Sequence, residues 1–128
     1  MPRILIADDE KVIADSLVRI LAANGYEATA VYSGEDAVET AVRTRPDIVL
    51  TDVVMGLMSG VVAGMMIRRS LPECRVILTS GQAGIEPLLH TAESKGHVFE
   101  LLPKPIHPEQ LLEYLKNGKP VGTGQSKS

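Results

Sequence analysis

Acidic, hydroxyl and basic residues follow four short apolar runs of the sequence, and together they could handle a phosphoryl group. Asp8 and Asp9 follow the first run, Asp52 follows a second, and Ser80 and Lys104 stand at the ends of two more. Clustered carboxylates repel one another unless a cation neutralises them, and oxygen ligands with space for water suit Mg²⁺. A carboxylate nucleophile, a divalent cation, a hydroxyl and an ammonium are the groups that phosphoryl transfer uses.

The apolar runs that precede these residues predict strands buried on both faces. Residues 4–7, 48–51 and 76–79 are continuous β-branched and aliphatic segments, which are typical of a parallel sheet covered by helices. Weaker strand candidates lie at 27–31 and 98–102. The strand order 2-1-3-4-5 would bring the carboxylates into one crevice beyond the carboxyl ends of the strands. A single acidic residue there is more often a helix cap or a solvated side chain, so the prediction rests on the coincidence at four strand ends.

Five amphipathic segments alternate with the strands. The first two carry apolar residues at helical spacing, which we expect to face the core: Ile13, Leu17, Ile20 and Leu21 in the first, and Ala37, Val38, Ala41 and Val42 in the second. Ser33 is a candidate N-cap of the second helix. Three further helices are predicted at 60–71, at 85–94 and from Pro108 onward. The alternation predicts an α/β fold with a parallel five-stranded sheet.

The composition indicates one soluble domain and argues against several classes of protein. A chain of 128 residues with 45% hydrophobic and 23% charged residues can bury an ordinary core. A net charge of −3 without a basic stripe argues against direct binding of nucleic acid. The chain has no apolar run long enough for a membrane, no signal peptide and a single cysteine, Cys74, so we expect a cytoplasmic location.

The sequence resembles the response regulator receiver domain of two-component signal transduction (CheY-like) over about residues 3–116. The resemblance rests on five segments in order: ILIADDE at 4–10, DIVLTDVVM at 47–55, MSG at 58–60, VILTSG at 76–81 and KP at 104–105. It implies a flavodoxin-like (βα)5 three-layer sandwich. It also implies that the protein is a signalling module rather than a general enzyme. We expect a receiver domain at 1–116 and a disordered tail at 117–128, in a free-standing receiver or a piece of a longer protein.

The resemblance gives the acidic residues distinct roles. Asp52 matches the phosphoacceptor, which takes the phosphoryl group from a histidine kinase or a phosphotransfer protein. Asp9 and Asp52 would coordinate Mg²⁺ directly, together with the backbone carbonyl of Val54. Asp8 would act on the same ion through a bound water.

The resemblance also assigns the hydroxyl and the ammonium. Ser80 matches the switch hydroxyl that moves towards the phosphoryl oxygens, and it is preferred to Thr79 because the small Gly81 follows it. Lys104 would pair with the phosphoryl group. The bond from Lys104 to Pro105 is usually cis in this family.

Several positions depart from the family's pattern. Gly56 replaces a usual proline and should loosen the loop after the third strand. Leu101 stands where the family usually has Tyr or Phe, and the nearest ring, Phe99, lies two residues earlier on the same strand face. We therefore expect phosphorylation to persist while the aromatic-coupled output on the strand 4–helix 4–strand 5 face is weakened or rewired. Val54 and Gln82 flank the site at positions that tune hydrolysis, and we expect a long-lived phosphoryl group.

The implied partners are proteins. They are the phosphodonor, a downstream protein or an output domain outside this chain, and for some receivers a second copy on the helix 4–strand 5–helix 5 face. Two alternatives stay open: a degenerate receiver that acts only through protein contacts, and an aspartyl-phosphate phosphohydrolase of the haloacid dehalogenase type. The second class carries Asp-x-Asp after its first strand, whereas Asp8 and Asp9 are adjacent.

Overall fold

Five short β-branched and aliphatic runs form one parallel sheet. The computed structural model describes residues 1–81, 86–97 and 99–117. Its strands and helices in chain order are β1 (Arg3–Ala7), α1 (Lys11–Ala23), β2 (Glu27–Val31), α2 (Gly34–Thr44), β3 (Ile48–Asp52), α3 (Gly60–Ser70), β4 (Arg75–Ser80), α4 (Glu86–Ser94), β5 (Glu100–Pro103) and α5 (Pro108–Asn117). The strand order is β2-β1-β3-β4-β5, which confirms the predicted flavodoxin-like fold and the 2-1-3-4-5 order.

Alternation along the strands separates two apolar cores. In β1, Leu5 and Ala7 belong to the core shared with α2, α3 and α4, whereas Ile4 and Ile6 belong to the core shared with α1 and α5. Every residue of β3 is buried, as expected for the central strand of a sheet covered on both faces. The two helix layers therefore hold the sheet rigidly beneath its carboxyl edge.

The helices confirm most of the predicted pattern, with two exceptions on their apolar faces. The Ser33 hydroxyl accepts a hydrogen bond from the Asp36 amide, so the predicted N-cap is confirmed. Ile13 is 36% exposed and Val42 is 46% exposed, so their prediction as core residues is wrong. Each lies at the edge of its helix's buried face, because one residue turns the helix by about 100° away from a buried alanine. No helix in the described part of the chain is long and apolar enough to cross a membrane.

The predicted bounds of the elements differ from the observed ones mainly after β4. The last helix includes Asn117, so the predicted tail begins one residue too early. β5 starts at Glu100 and extends through Pro103 because it pairs only there with β4. Gln82, Ile85, Val98 and the segment 118–128 lie outside the described residues, and with them the predictions made for those positions.

The register of the strands aligns their carboxyl ends. Ala7 of β1 lies opposite Thr51 of β3, and Asp52 lies opposite Thr79 of β4. Ser80 in turn lies opposite the last residue of β5. Residues that directly follow these strands therefore meet at one edge of the sheet.

Candidate functional site

Three carboxylates lie together at the carboxyl edge of the sheet. Asp8 follows β1, Asp9 comes next, and Asp52 ends β3. One carboxylate oxygen of each lies within 4.8 Å of those of the other two. Asp8 and Asp52 are only 3% and 8% exposed, whereas Asp9 is exposed. The strand register thus brings together the three acidic residues that the sequence singled out.

The ammonium of Lys104 reaches into this cluster from beyond β5. Its Nζ lies 3.2 Å from Asp8 Oδ2 and 3.0 Å from Asp52 Oδ2, and it donates a hydrogen bond to each. Burial alone would lower the pKa of the Lys104 ammonium, but the hydrogen bonds and negative charges of Asp52 and Asp8 outweigh it and raise that pKa. Lys104 is therefore positively charged at neutral pH and holds both buried carboxylates.

Backbone amides hold the other oxygens of the two buried carboxylates. Asp8 Oδ1 accepts a hydrogen bond from the Glu10 amide at 2.9 Å. Asp52 Oδ1 accepts one from the Val54 amide at 3.3 Å. Each buried carboxylate is thus bonded through one oxygen to the backbone and through the other to Lys104, which fixes its orientation.

The end of β4 brings two hydroxyl residues to the same edge. Thr79 lies opposite Asp52 in the register and is 2% exposed. Ser80, the residue preferred as the switch hydroxyl, ends β4 and is half-buried, and its carbonyl accepts a hydrogen bond from the Lys104 amide at 3.1 Å. The Lys104–Pro105 bond is cis, as the resemblance implies.

The loop between β3 and α3, residues 53–59, carries Val54 beside the carboxylates. The Val54 side chain is 47% exposed, and its amide is bonded to Asp52. Gly56 has a φ of +39°, a region that favours glycine. Where the loop enters α3, the Gly60 amide donates to the Val53 carbonyl at 2.8 Å. The role predicted for the Val54 carbonyl as a metal ligand stays a prediction.

The donor set fits a hard divalent cation. The three clustered groups are all carboxylates, and Asp9 remains open to solvent. Three carboxylates face the single ammonium of Lys104, so the cluster keeps a surplus of negative charge. Oxygen-only ligands with solvent on one side are what Mg²⁺ requires, because it keeps part of its water shell.

Comparison with known proteins identifies the family. The model of the response regulator receiver domain matches residues 4–116. The chain belongs to this family. The receiver domain is 28% identical over 114 residues to the response regulator MprA of Mycobacterium leprae. The matched segment covers 89% of this chain and 49% of that protein. It therefore spans about half the length of the curated relatives it matches.

Solved structures agree with the receiver fold. The chemotaxis response regulator CheY4 of Vibrio cholerae is 25% identical, with a TM-score of 0.78 over 91% of this chain and 97% of that one. A CheY-like receiver domain protein from Methanospirillum hungatei is 26% identical, with a TM-score of 0.83 over 92% of this chain and 93% of that one. The fold and the family are thus shown by sequence and structure alike.

The receiver domain's only phenylalanine is held by α3. Phe99 is half-buried against the α2–α3–α4 core, with the Arg68 guanidinium 5.0 Å from its ring centroid and the His97 ring stacked at 5.9 Å. Leu101, at the position that is usually aromatic, lies in β5 opposite Leu78 and is 38% exposed. The sequence placed Phe99 near Leu101 but gave no sign of its contact with α3.

A groove beside the site was also missed by the sequence. It has a volume of about 540 Å³, and it lies between α1 and the loop that leads to α5. Val12 and Ile13 line one side, Ile106 lines the other, and Lys104 stands at its border. Val12 is 80% exposed. The available signal was Val12, an apolar residue outside the positions 13, 17, 20 and 21 that the helix pattern assigns to the core.

Proposed function

We propose that this receiver domain accepts a phosphoryl group on Asp52 from the phosphohistidine of a histidine kinase or phosphotransfer protein, with Mg²⁺ bound at the acidic cluster. The observation that carries the proposal is the placement of Asp52 beside Asp8 and Asp9, with the Lys104 ammonium 3.0 Å from its carboxylate. Membership of the family supports it. The groove along α1 supports it too, because the groove is lined by Lys104, which donates to Asp52, and so offers a donor protein a surface beside the site.

Each residue of the site has a different role in phosphoryl transfer. An Asp52 carboxylate oxygen forms the bond to phosphorus, the bond between phosphorus and the donor's imidazole nitrogen breaks, and its electron pair stays on that nitrogen. Lys104, which already donates to Asp52, turns its N–H groups to the phosphoryl oxygens. Ser80 donates its hydroxyl to another of these oxygens. The acyl phosphate then signals through contacts with a downstream protein or an output domain outside this chain.

The acidic residues provide the metal site. Asp9 and Asp52 would hold Mg²⁺ directly with the Val54 carbonyl, and Asp8 would hold it through water. When bound, the ion supplies positive charge that offsets the carboxylates and the phosphoryl oxygens. The apolar, half-exposed side chain of Val54 offers no hydrogen bond to an attacking water, so we expect the acyl phosphate to outlast seconds.

The test is adduct formation on the intact chain. Incubation with acetyl phosphate and Mg²⁺ should add one phosphoryl group by mass spectrometry, and Asp52→Asn should abolish it. Asp47→Asn is the matched control, because Asp47 lies at the opposite end of β3 and accepts from the Arg3 amide. Absence of an adduct would favour a receiver that acts only through protein contacts, and rapid multiple turnover would favour a phosphohydrolase.

A further inference from the structure

The loop at 53–59 meets α3 at a contact that leaves no room for a side chain. Gly60 is the first residue of α3, and a Cβ built on it would lie 1.9 Å from the Asp52 carbonyl oxygen and 2.8 Å from its carbonyl carbon. Real Cβ contacts are essentially never shorter than 3.0 Å, and these atoms are backbone. Any side chain at Gly60 must therefore displace the backbone of Asp52 or the start of α3.

A second such contact joins α2 to the same loop. Gly34 is the buried first residue of α2, and a Cβ there would lie 2.8 Å from the Met58 carbonyl oxygen and 2.9 Å from the Met58 Cβ. These atoms belong to the loop's backbone or sit directly on it, so they cannot turn away as the end of a long side chain can. A side chain at Gly34 must push the loop.

The middle of the loop has little stiffness of its own to resist such a push, while Val53 and Met55 hold its start in the core. Residues 53–59 contain no proline, and Gly56 adopts a positive φ in their midst. Asp52 and Val54 are linked through the amide-to-carboxylate hydrogen bond. Movement of the loop therefore turns the Asp52 carboxylate together with the backbone of Val54.

We propose that Gly34 and Gly60 are positioning residues for the cation site: their close approach fixes the loop at 53–59 so that Asp52 and Val54 face one ion. The inference rests on the proposed function, because the ion it concerns is the Mg²⁺ of that proposal. Outer residues that orient metal ligands typically change metal affinity on the order of tenfold to a hundredfold when they are altered. The three atoms nearest to a Cβ at Gly34 all belong to Met58, so its effect reaches the ion through the loop.

Gly64 offers a matched control for the same chemical change. It is a buried glycine of α3, and a Cβ there would lie 3.2 Å from Val76 Cγ1 and 3.3 Å from Phe99 Cζ. Both neighbours are side-chain ends in the core, away from the loop at 53–59. Gly64→Ala therefore makes the same chemical change in the core, with a milder clash and without pushing the loop.

The experiment compares Mg²⁺ affinity with stability in the full chain. Isothermal titration with MgCl2, urea unfolding without metal and amide chemical shifts of Asp52 and Val54 are measured for wild type, Gly34→Ala, Gly60→Ala and Gly64→Ala. We expect Gly34→Ala to raise the Kd for Mg²⁺ about tenfold or more and to shift both amides. Gly64→Ala should stay within about twofold of wild type in Kd, whatever stability it loses. Gly34→Ala decides the matter should Gly60→Ala fail to fold.

Each outcome has a definite meaning. If the wild-type chain binds Mg²⁺ and Gly34→Ala binds it with the same Kd, this inference alone is overturned. The inference is also overturned if Gly64→Ala loses as much Mg²⁺ affinity as Gly34→Ala does. Absence of Mg²⁺ binding in the wild-type chain would overturn the proposed function, and the inference with it. A higher Kd confined to Gly34→Ala and Gly60→Ala supports the inference.

Discussion

Lys104 holds together two buried carboxylates at the site. Its pairing with a phosphoryl group was expected from the resemblance, whereas its hydrogen bonds to Asp8 and Asp52 were not. A sequence shows which residues follow which strands, but it does not show which partner a long side chain takes when several lie within reach. The Lys104 ammonium thus has a structural role as well, and its removal should lower the stability of the fold.

Lys104→Met should destabilise the metal-free protein. Two buried carboxylates lose their cation, and because the Lys104 side chain is 20% exposed we expect a loss of about 1–2 kcal/mol at pH 7, below the range for fully buried pairs. The raised pKa means that this stabilisation is fully present below the unfolded pKa of about 10.4 and is lost as pH rises through the folded pKa. Urea unfolding at neutral and alkaline pH measures the difference.

The control for this variant is Lys116→Met, which removes an exposed lysine near the end of α5. Its free energy of unfolding should stay within about 0.5 kcal/mol of wild type. Equal stability of Lys104→Met and wild type at pH 7 would contradict the argument. A difference between them that persisted far above the folded pKa of Lys104 would contradict the pH dependence.

Ser80→Ala and Thr79→Val separate the two hydroxyls at the end of β4. We expect Ser80→Ala to accept the phosphoryl mimic beryllofluoride at Asp52 but to lose much of the accompanying amide shift along β4 and β5. Thr79 is buried, and Thr79→Val replaces its hydroxyl with a methyl group of similar size, so this variant should keep those shifts. Two-dimensional amide spectra with and without beryllofluoride are the measurement. The reverse pattern would assign the switch to Thr79.

At the scale of the elements, the start of β5 decides where the phenylalanine ring goes. The sequence predicted a strand at 98–102 with Phe99 and Leu101 on one face, but β5 begins at Glu100. β5 is an edge strand with β4 as its one neighbour. Its first and last residues are therefore set by pairing with β4 and not by its own amino-acid composition. Phe99 precedes the strand and packs against α3, a contact between distant parts of the chain that no local pattern records.

Leu101→Tyr should strengthen the response of the α4–β5 face to phosphorylation. In the wild-type chain the Phe99 ring is in contact with both Arg68 and His97, so we expect it to keep its packing when beryllofluoride binds. A ring at Leu101 would restore a side chain that can swing between exposed and inward positions. Amide shifts of β4, β5 and the described part of α4 should be larger in Leu101→Tyr than in wild type. Strong shifts of this face in wild type, with Leu101 in one packing arrangement, would show that coupling survives without the ring.

A polar network ties β4, β5 and α5 together at the edge opposite the site. Arg75 donates to Glu100 through Nε and Nη2 at 2.8 Å each, and Tyr114 donates its hydroxyl to the same carboxylate. The Arg75 guanidinium also lies 5.0 Å from the centroid of the Tyr114 ring. Burial, reinforced by the hydrogen bond and charge of Glu100, raises the pKa of Tyr114. The network fastens the last helix to the sheet.

Glu100→Gln should weaken this fastening and leave the cation site intact. We expect a loss of about 1–2 kcal/mol in the free energy of unfolding, because Arg75 and Tyr114 lose a charged acceptor. The pKa of Tyr114 should fall towards its ordinary value, and Mg²⁺ affinity should not change. Urea unfolding, ultraviolet titration of the tyrosines and calorimetry measure the three quantities, with Glu73→Gln, at an exposed carboxylate, as the control. A changed Mg²⁺ affinity in Glu100→Gln would show that the two edges are coupled.

For the whole molecule, the sequence predicted the features that depend on the alternation of strands and helices along the chain. It missed the features that depend on how distant segments pack against one another. The strand order and the convergence of Asp8, Asp9 and Asp52 follow from apolar runs whose carboxyl ends carry acidic residues. The contact between Gly34 and Met58 depends on how α2 lies against a loop that follows another strand, and no periodicity encodes it. The same holds for the groove along α1, because exposure of an apolar residue is decided by its neighbours in space.

Binding of Mg²⁺ should stabilise the entire fold, because the unfolded chain does not hold the three carboxylates together. An ion that binds only the native state stabilises it by about 2.7 kcal/mol at a concentration of 100 times its Kd. The Tm of the wild-type chain should therefore rise steadily with MgCl2. Asp52→Asn and Asp9→Asn should be at least as stable as wild type without metal, since each removes part of a surplus of negative charge, and should gain much less from Mg²⁺. NaCl at matched ionic strength is the control: an equal rise in Tm with NaCl would mean that salt screens the net charge of −3 and that no specific site is filled.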